Sequence, residues 1–203
     1  MTQIATQADP ESIPASIFRA YDIRGVAEQQ LASQNVKRIG QAIGSEALDQ
    51  NITSLLVGYD GRLSSPALSI ALIEGIRSSG CSAVSIGLVP TPLLYFATYA
   101  TDYASGVMLT ASHNPANYNG LKIVFNQNSL AENQIQKIRT RIENDQLRTG
   151  SGKFSELEVD RSYIDAICTG IQLKKPLKIV IDCGNAVPGK IAPALFQELG
   201  CDV

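Results

Sequence analysis

Residues 54–88 read SLLVGYDGRLSSPALSIALIEGIRSSGCSAVSIGL and contain a complete strand–helix–strand unit. The apolar run 54–59 ends at an Asp-Gly pair, which is typical of a strand followed by a turn. Pro66 then stands in the first helical turn, apolar residues recur at helical spacing between positions 68 and 76, and Gly80 ends the helix. A second apolar run, 83–88, follows. The pattern predicts two parallel strands joined by a helix.

The alternation of predicted strands and helices continues on both sides of this unit. A helix is predicted over residues 33–50, another opens at Pro90-Thr91-Pro92, and a third strand covers 106–109. Residues 121–125 follow closely enough to form an antiparallel or edge strand. The sequence therefore predicts an α/β domain of three layers, with helices on both faces of a mostly parallel, mixed sheet.

The C-terminal part of the chain restarts the pattern. The further elements predicted there are a charged helix over 132–145, a Gly/Ser-rich stretch at 147–153, a helix near 159–171, a strand over 177–182 and a helix over 191–199. We divide the chain into a domain at residues 1–152 and a linker helix with the incomplete start of a second, similar α/β domain at 153–203. We expect residues 177–203 to be poorly ordered or to associate with a partner, including a second copy of the chain.

Composition excludes several classes of protein. Lys and Arg number 17 against 19 Asp and Glu, a net charge of −2, which argues against nucleic-acid or polybasic membrane-surface binding. The uncharged stretch 78–101 contains Pro90 and Pro92, so it does not form a membrane-spanning helix. Residues 1–16 lack a signal-peptide pattern, and the four cysteines form no C-x-x-C pair. We expect a cytoplasmic protein without a nucleic-acid or membrane partner.

The segment TASHNP, residues 110–115, carries the strongest chemical signal. Ser112 follows a predicted parallel strand, where α/β folds gather their sites, and turn-forming residues surround it. A loop serine near backbone amides, an imidazole and the ammonium of Lys122 suits a phosphate group. The alternative is an ordinary solvent-exposed loop serine.

His113 is the single histidine of the chain. Because neighbours on an extended chain point to opposite faces, we expect His113 to be poorly placed as a base for Ser112. With no G-x-S-x-G motif and no second histidine, a serine hydrolase is improbable.

Three other segments are candidate anion-binding loops. They are FRAYDIRG at 18–25, GYDGRLS at 58–64 and DCGNAVPG at 182–189. The arginines of FRAYDIRG can bind phosphate oxygens, but from this octapeptide alone a turn with ordinary surface arginines is the better explanation. GYDGRLS could bring a helix N-terminus near an anion, and ordinary turn chemistry explains it almost as well. The last segment lacks both the dinucleotide-binding and the P-loop glycine patterns, so neither function is predicted.

Together these motifs resemble the α-D-phosphohexomutase superfamily, in its phosphomannomutase/phosphoglucomutase branch. The resemblance rests on FRAYDIRG, GYDGRLSS, TASHNP, NGLKIVF and IDCGNAVPG, in that order along the chain. It implies that Ser112 is a phosphoserine that exchanges its phosphoryl group with a hexose 1- or 6-phosphate through a hexose 1,6-bisphosphate. It also implies that Mg²⁺ binds at the phosphate on Ser112, where it offsets the charge of phosphoryl transfer.

The resemblance assigns roles to further residues. Arg24 and Lys122 match positions that hold phosphoryl oxygens or assist proton transfer, and Tyr21 matches a substrate-side position. His113 and Asn114 belong to the serine loop, where His113 orients the phosphoserine. The predicted catalytic set is Ser112, His113, Lys122 and Arg24, and the predicted substrate-binding set is Tyr21, Arg24, Asn114 and Lys122.

The family's Asp-Gly-Asp-Gly-Asp metal loop has no counterpart in this sequence. The resemblance therefore implies that the remaining metal ligands and most sugar contacts lie beyond residue 203, in further domains of a longer chain. We expect the 203-residue chain to have no measurable mutase turnover. Two alternatives stay open: part of a phosphoglucosamine mutase, or a non-catalytic module that binds a phosphosugar or a partner.

Overall fold

The computed structural model describes residues 13–203. The strands are β1 Ile23–Val26, β2 Ser54–Tyr59, β3 Ser82–Leu88, β4 Gly106–Leu109, β5 Tyr118–Phe125, β6 Asn128–Ser129 and β7 Phe154–Glu156. The helices are α1 Ser33–Asp49, α2 Ser65–Ser78, α3 Thr91–Ala100, α4 Asn133–Glu143, α5 Asp160–Gly170 and α6 Ala192–Glu198, with 3₁₀ turns at Ala15–Ile17 and Val187–Lys190.

The strands form one mixed sheet. Its order is β1-β5-β4-β2-β3-β7, with β6 paired to β5. β2 runs parallel to both β3 and β4, and β7 runs parallel to β3. β5 turns back antiparallel to β4 and pairs with β1 on its other side. The predicted α/β class and mixed sheet are confirmed, and β5 lies inside the sheet, between β4 and β1.

Helices cover both faces of the sheet, as predicted. Along β2, Leu55 and Val57 pack with α1, α2 and α4, whereas Leu56 packs on the opposite face with α3 and α5. Successive residues of a strand point to opposite faces, so a strand covered on both sides needs an unbroken apolar run. Each fully buried side chain of this size contributes roughly 1.5–3 kcal/mol.

α1 and α2 approach each other backbone to backbone. A Cβ added at Gly75 would lie 2.0 Å from the carbonyl oxygen of Lys37, and one at Gly40 would lie 2.6 Å from that of Leu72. These glycines permit a helix separation that any side chain would prevent. The close packing fixes α2, whose N-terminal end stands beside the candidate site.

The prediction of a strand over residues 177–182 is wrong. The segment forms a single bridge, Lys178 with Asp202, in which the Ile179 amide donates to the Asp202 carbonyl at 2.8 Å and the Asp202 amide to the Leu177 carbonyl at 2.8 Å. One bridge is too short a ladder to define a strand.

The Gly/Ser-rich stretch at 147–153 is packed against the C-terminal end of α2. The amides of Gly150 and Gly152 donate to the carbonyls of Ser78 and Arg77, each at 2.8 Å. β7 then joins the sheet beyond the predicted boundary, with Phe154 opposite Ala83. The division into 1–152 and 153–203 stays a prediction.

Residues 1–12 lie outside the described residues, and with them most of the segment 1–16 in which no signal pattern is predicted. From residue 13 onward, no helix has both the length and the apolar character needed to cross a membrane.

Candidate active site

Ser112 lies in the loop that follows β4, at the carboxyl edge of the sheet, and it is exposed. Its φ is +54°, in the left-handed region that residues with a side chain seldom adopt. The amide of Ser112 donates to the Thr110 hydroxyl at 2.9 Å. The Thr110 hydroxyl therefore restrains the backbone on the N-terminal side of Ser112.

His113 lies closer to the serine than the sequence predicted. Its Nδ1 is 3.3 Å from the Ser112 hydroxyl oxygen, within hydrogen-bonding distance. The prediction that the two side chains diverge is wrong because it assumed an extended chain, whereas the left-handed conformation of Ser112 turns them to the same side. His113 can therefore contact a group carried on that oxygen.

Asp60, just after β2, connects two neighbouring segments to the serine loop. Its Oδ2 accepts from the Thr110 hydroxyl at 2.7 Å, and its Oδ1 accepts from the Ser65 hydroxyl at 2.7 Å. Thr110 thus donates to Asp60 while accepting from the Ser112 amide. This chain of hydrogen bonds links the start of α2 to the backbone of Ser112.

Arg62 also faces the serine loop. Its Nη2 donates to the carbonyls of Ser112 and Asn114, each at 2.8 Å, and its Nη1 to those of Pro115 and Tyr118, at 2.6 and 3.0 Å. Its Nε donates to Asp60 at 3.2 Å. The side chain is only 12% exposed.

Asn114 takes part in the same loop. Its side-chain amide donates to the Ala111 carbonyl at 2.9 Å, and its own backbone amide donates to that carbonyl at 3.1 Å. Asn114 thus closes the turn that presents Ser112, while its side chain also borders the cleft described next.

A cleft of about 670 Å³ opens beside Ser112. Its walls come from residues 60–63, 90–92 and 185–188, together with Thr110, Ser112, Asn114 and Ala116 of the serine loop. This volume lies in the usual range for small-molecule pockets, ~300–1,000 Å³. The segments GYDGRLS and DCGNAVPG, singled out in the sequence, thus meet the serine loop in one cavity.

Arg24 and Lys122 form a separate cationic cluster around Asp22. Arg24 Nη2 is ion-paired with Asp22 Oδ2, and Lys122 Nζ lies 3.8 Å from the same oxygen. Asp22 itself is 5% exposed. Because Arg24 stands opposite Gly120 and Lys122 follows two residues later on β5, both side chains share one face of the sheet. Neither residue lines the cleft.

The pairing of β5 with β1 and β4 places this cationic cluster next to the serine loop, with Gly120 between them. The Thr110 amide donates to the Gly120 carbonyl at 2.8 Å, and Gly120 pairs on its other side with Arg24. A Cβ at Gly120 would meet backbone oxygens of Ile23 at 2.6 Å and Thr110 at 2.9 Å. A glycine is therefore required where the three strands converge.

Tyr21 stands apart from these groups and is 69% exposed. No hydrogen bond of its side chain occurs among those found within residues 13–203. The structure therefore unites Ser112, His113 and Asn114, gathers Arg24 and Lys122 around Asp22, and leaves Tyr21 on the surface.

The described residues do not form a cation site by themselves. Within residues 13–203 no three His, Cys, Asp or Glu side chains cluster closely enough to hold a metal ion. The polar neighbour of the Ser112 hydroxyl is the His113 imidazole, and the nearby Asp60 carboxylate is engaged by Thr110, Ser65 and Arg62. The oxygen ligands that Mg²⁺ prefers are thus not assembled here.

Comparison with known proteins places this fold and loop in a defined class. Residues 15–149, more than half of the chain, match the alpha/beta/alpha domain I of phosphoglucomutase/phosphomannomutase. The chain belongs to the phosphoglucomutase/phosphomannomutase family.

Individual relatives agree with this assignment. A phosphomannomutase/phosphoglucomutase of Pseudomonas aeruginosa is 48% identical over 97% of this chain and 42% of its own length. A phosphoglucomutase of Neisseria meningitidis serogroup B is 39% identical over 95% of this chain and 44% of its own. The crystal structure of a family protein from Burkholderia thailandensis superimposes with a TM-score of 0.91 at 41% identity, covering 94% of this chain and 43% of that one. The chain thus spans about two fifths of the length of these relatives.

Sequence reasoning missed the roles of Asp60, Arg62 and Thr110. The segment GYDGRLS was interpreted as a turn or an anion-binding helix start, yet its charged side chains bind protein atoms. The sequence signal for these roles was an Asp-Gly-Arg turn after a buried strand. That this turn and the serine loop are neighbours follows only from the pairing of β2 with β4, in which Tyr59 stands opposite Leu109.

Proposed function

We propose that this chain is the phosphoserine-bearing part of a phosphohexomutase that interconverts hexose 1-phosphate and hexose 6-phosphate. One observation carries the proposal: in a chain of this family, the exposed residue Ser112 lines a cleft large enough for a phosphosugar. Mannose and glucose phosphates are the proposed substrates, by analogy with the names of the relatives.

Ser112 would first accept a phosphoryl group from a hexose 1,6-bisphosphate. Its Oγ forms a bond to phosphorus, the bond from phosphorus to the sugar oxygen breaks, and the serine proton replaces the phosphoryl group on that oxygen. In each turnover phosphoserine then transfers its phosphoryl group to the free hydroxyl of a hexose 1- or 6-phosphate, and the proton of that hydroxyl passes to Ser112 Oγ. The resulting 1,6-bisphosphate returns the phosphoryl group from its other position to Ser112, so the bisphosphate is an intermediate and the product is the isomeric monophosphate. The imidazole of His113, 3.3 Å from Oγ, would orient the phosphoryl group.

Arg24 and Lys122 are the proposed phosphate-holding cations. Two cations against the single Asp22 carboxylate leave one net positive charge on this face of the sheet. A phosphoryl group developing negative charge is stabilised by such donors when they are held in place beforehand. Asp22 would restrain both side chains, while Asn114 and Tyr21 would contact substrate.

Mg²⁺ belongs to the proposal as a ligand of the phosphate on Ser112, where it would offset negative charge. The other ligands, like most sugar contacts, would come from residues outside 13–203. We therefore expect the purified 203-residue chain to show no net interconversion of hexose 1- and 6-phosphates. Detectable interconversion by the purified chain would contradict this part of the proposal.

A cytoplasmic location also belongs to the proposal. The structure leaves all four cysteines, Cys81, Cys168, Cys183 and Cys201, as free thiols. Free thiols are the usual state in a reducing compartment.

Intact-mass analysis tests the role of Ser112. We expect the full-length protein that contains this chain to carry one phosphoryl group, either as purified or after incubation with glucose 1,6-bisphosphate, and peptide mapping to place it on Ser112. The Ser112→Ala variant should carry none under the same conditions. A full-length protein whose Ser112 remains unphosphorylated throughout would favour a non-catalytic phosphosugar-binding module instead.

A further inference from the structure

Arg62 is the feature of this site that the proposed function leaves unexplained. A guanidinium has five N–H donors in a rigid planar fork. In this chain all five are engaged: one by the Asp60 carboxylate and four by backbone carbonyls of the serine loop, those of Ser112, Asn114, Pro115 and Tyr118.

Saturation of the donors separates Arg62 from the phosphate-holding cations. An arginine that binds phosphate offers free N–H groups to its oxygens. Arg62 has none left, and its charge is paired with Asp60. Although it borders the cleft, its hydrogen bonds are directed at the loop backbone and not at a ligand.

The backbone of Ser112 is held from both sides. Its amide donates to the Thr110 hydroxyl, and its carbonyl accepts from Arg62 Nη2. Both partners converge on Asp60, which accepts from Thr110 and from Arg62. A left-handed residue that is not glycine persists only where its surroundings impose that conformation. These partners supply the restraint.

We propose that Arg62 is a positioning residue that holds Ser112 in its left-handed conformation and so aims the hydroxyl into the cleft. This inference rests on the proposed phosphoryl transfer at Ser112 for its functional meaning. Arg62 does not touch the reacting atoms. It acts through four backbone carbonyls, and its effect is to restrict the nucleophile to one direction of attack.

Lysine cannot take over this role. Its ammonium keeps the charge but offers three donors from a single atom, which cannot span carbonyls of residues 112 to 118. Arg62→Lys is therefore the informative variant, because it removes the fork while keeping the ion pair with Asp60 feasible.

Arg141→Lys is the matched control. The Arg141 side chain is also 12% exposed and also pairs with carboxylates, Glu46 and Asp49, but it lies on α4, away from the serine loop. Both variants lose a buried guanidinium, so a general loss of stability affects both. Only Arg62→Lys should affect Ser112.

Amide hydrogen exchange in the 203-residue chain gives the first measurement. Relative to core amides of β4, which report global stability, Arg62→Lys should accelerate exchange of the Ser112, Asn114 and Tyr118 amides at least tenfold. Arg141→Lys should leave that ratio within twofold of wild type. Equal ratios in the two variants would overturn the inference.

The rate of phosphoryl uptake by Ser112 from glucose 1,6-bisphosphate, measured in the full-length protein that contains this chain, gives the second measurement. We expect Arg62→Lys to lower the maximal rate at least tenfold and to leave the half-saturating bisphosphate concentration within twofold. A raised half-saturating concentration at an unchanged rate would show that Arg62 binds substrate, and would overturn the inference. If the wild type takes up no phosphate, the proposed function fails, and the exchange ratio alone decides whether Arg62 holds the loop.

Discussion

At the scale of single residues, the serine loop depends on one hydroxyl that both donates and accepts. Thr110 is 4% exposed, and its Oγ1 joins the Asp60 carboxylate to the Ser112 amide. Any replacement that keeps the volume but loses the oxygen leaves the Ser112 amide without its partner and the half-buried Asp60 Oδ2 with Arg62 Nε as its remaining donor. The cost of such a loss is about 1–3 kcal/mol.

We therefore expect Thr110→Val to lower the free energy of unfolding by about 1–3 kcal/mol. Thr110→Ser keeps the hydroxyl and serves as the control, with a smaller loss that reflects only the missing methyl group. Urea unfolding followed by circular dichroism measures both. Equal stability of the valine and serine variants would show that the hydrogen-bond chain contributes little.

The sequence predicted part of this residue-level picture. It located Ser112 in a loop after a parallel strand, because turn-forming residues and an apolar run are local signals. It did not predict the approach of His113, because φ = +54° at Ser112 is imposed by distant partners and has no local signature. The role of Arg62 was equally absent from the local sequence, since the carbonyls that it contacts lie about 50 to 56 residues further along the chain.

At the scale of elements, two glycines determine how closely α1 and α2 can pack. A methyl group at position 75 would lie 2.0 Å from the Lys37 carbonyl oxygen, so one helix would have to move. Overpacking costs about 1–3 kcal/mol, and a clash with backbone belongs at the upper end. Alanine gains about 1 kcal/mol of helix propensity over glycine.

Gly75→Ala should therefore destabilise the chain by a net ~2 kcal/mol. Gly170→Ala is the control: it also lies in a helix, α5, but a Cβ there meets nothing within 4 Å. We expect that variant to be neutral or up to ~1 kcal/mol more stable. Thermal and urea unfolding give the comparison, and a neutral Gly75→Ala would show that α1 and α2 separate easily.

α1 and α4 are joined by ion pairs around a buried carboxylate. Burial disfavours the charged form of Glu46, but hydrogen bonds from Lys137, Gln50 and Arg141 outweigh burial and hold the pKa of this carboxyl below its ordinary value. A pKa that is lower in the folded than in the unfolded chain contributes stability above the unfolded value. That contribution is lost as the pH falls through the folded pKa.

We accordingly expect the free energy of unfolding to fall as the pH drops below about 4.5, the ordinary pKa of a glutamate carboxyl, with Glu46 contributing to the slope. Glu46→Gln should be less stable at pH 7 by about 1–3 kcal/mol and should show a shallower acid slope. Glu143→Gln, an exposed α4 carboxylate paired with Arg139, is the control and should change stability by less than ~1 kcal/mol. Identical acid slopes for wild type and Glu46→Gln would contradict the assignment.

Helices with a clear apolar periodicity were predicted more accurately than the short strands. The helices over 33–50, 132–145 and 159–171 are confirmed within two residues at each end, as α1, α4 and α5. β7 was missed because its three exposed residues, Phe154–Glu156, have no apolar run. Residues 177–182 contain an apolar run but form only one bridge, so the apolar run alone led to the prediction of a strand that the structure does not contain.

At the scale of the whole molecule, the chain combines a densely packed sheet with a C-terminal segment that buries Ile191 but exposes several other apolar side chains. Residues 177–203 contribute one bridge, the 3₁₀ turn Val187–Lys190 and the seven-residue α6, and Val180 is 96% exposed. Leu177 and Phe196 are also partly exposed, at 42% and 36%. Apolar side chains left uncovered in this way favour fast local opening or association.

We predict that amides of residues 177–183 exchange much faster than those of β2 when the chain is dilute. If the segment associates with a second copy, its protection should increase with protein concentration, which exchange at two concentrations detects. Full protection of the segment in a chain shown to be monomeric by light scattering would contradict both alternatives.

The Arg62 fork contacts backbone carbonyls, and this choice of acceptor has a consequence for protein engineering. Every residue of the loop has a carbonyl, so the anchor does not depend on which side chains the loop carries. Ala116 borders the cleft but supplies none of the four carbonyls that Arg62 binds. Position 116 is thus a place where the cleft wall can be redesigned, for a bulkier or a more polar ligand, while the backbone that carries Ser112 is kept.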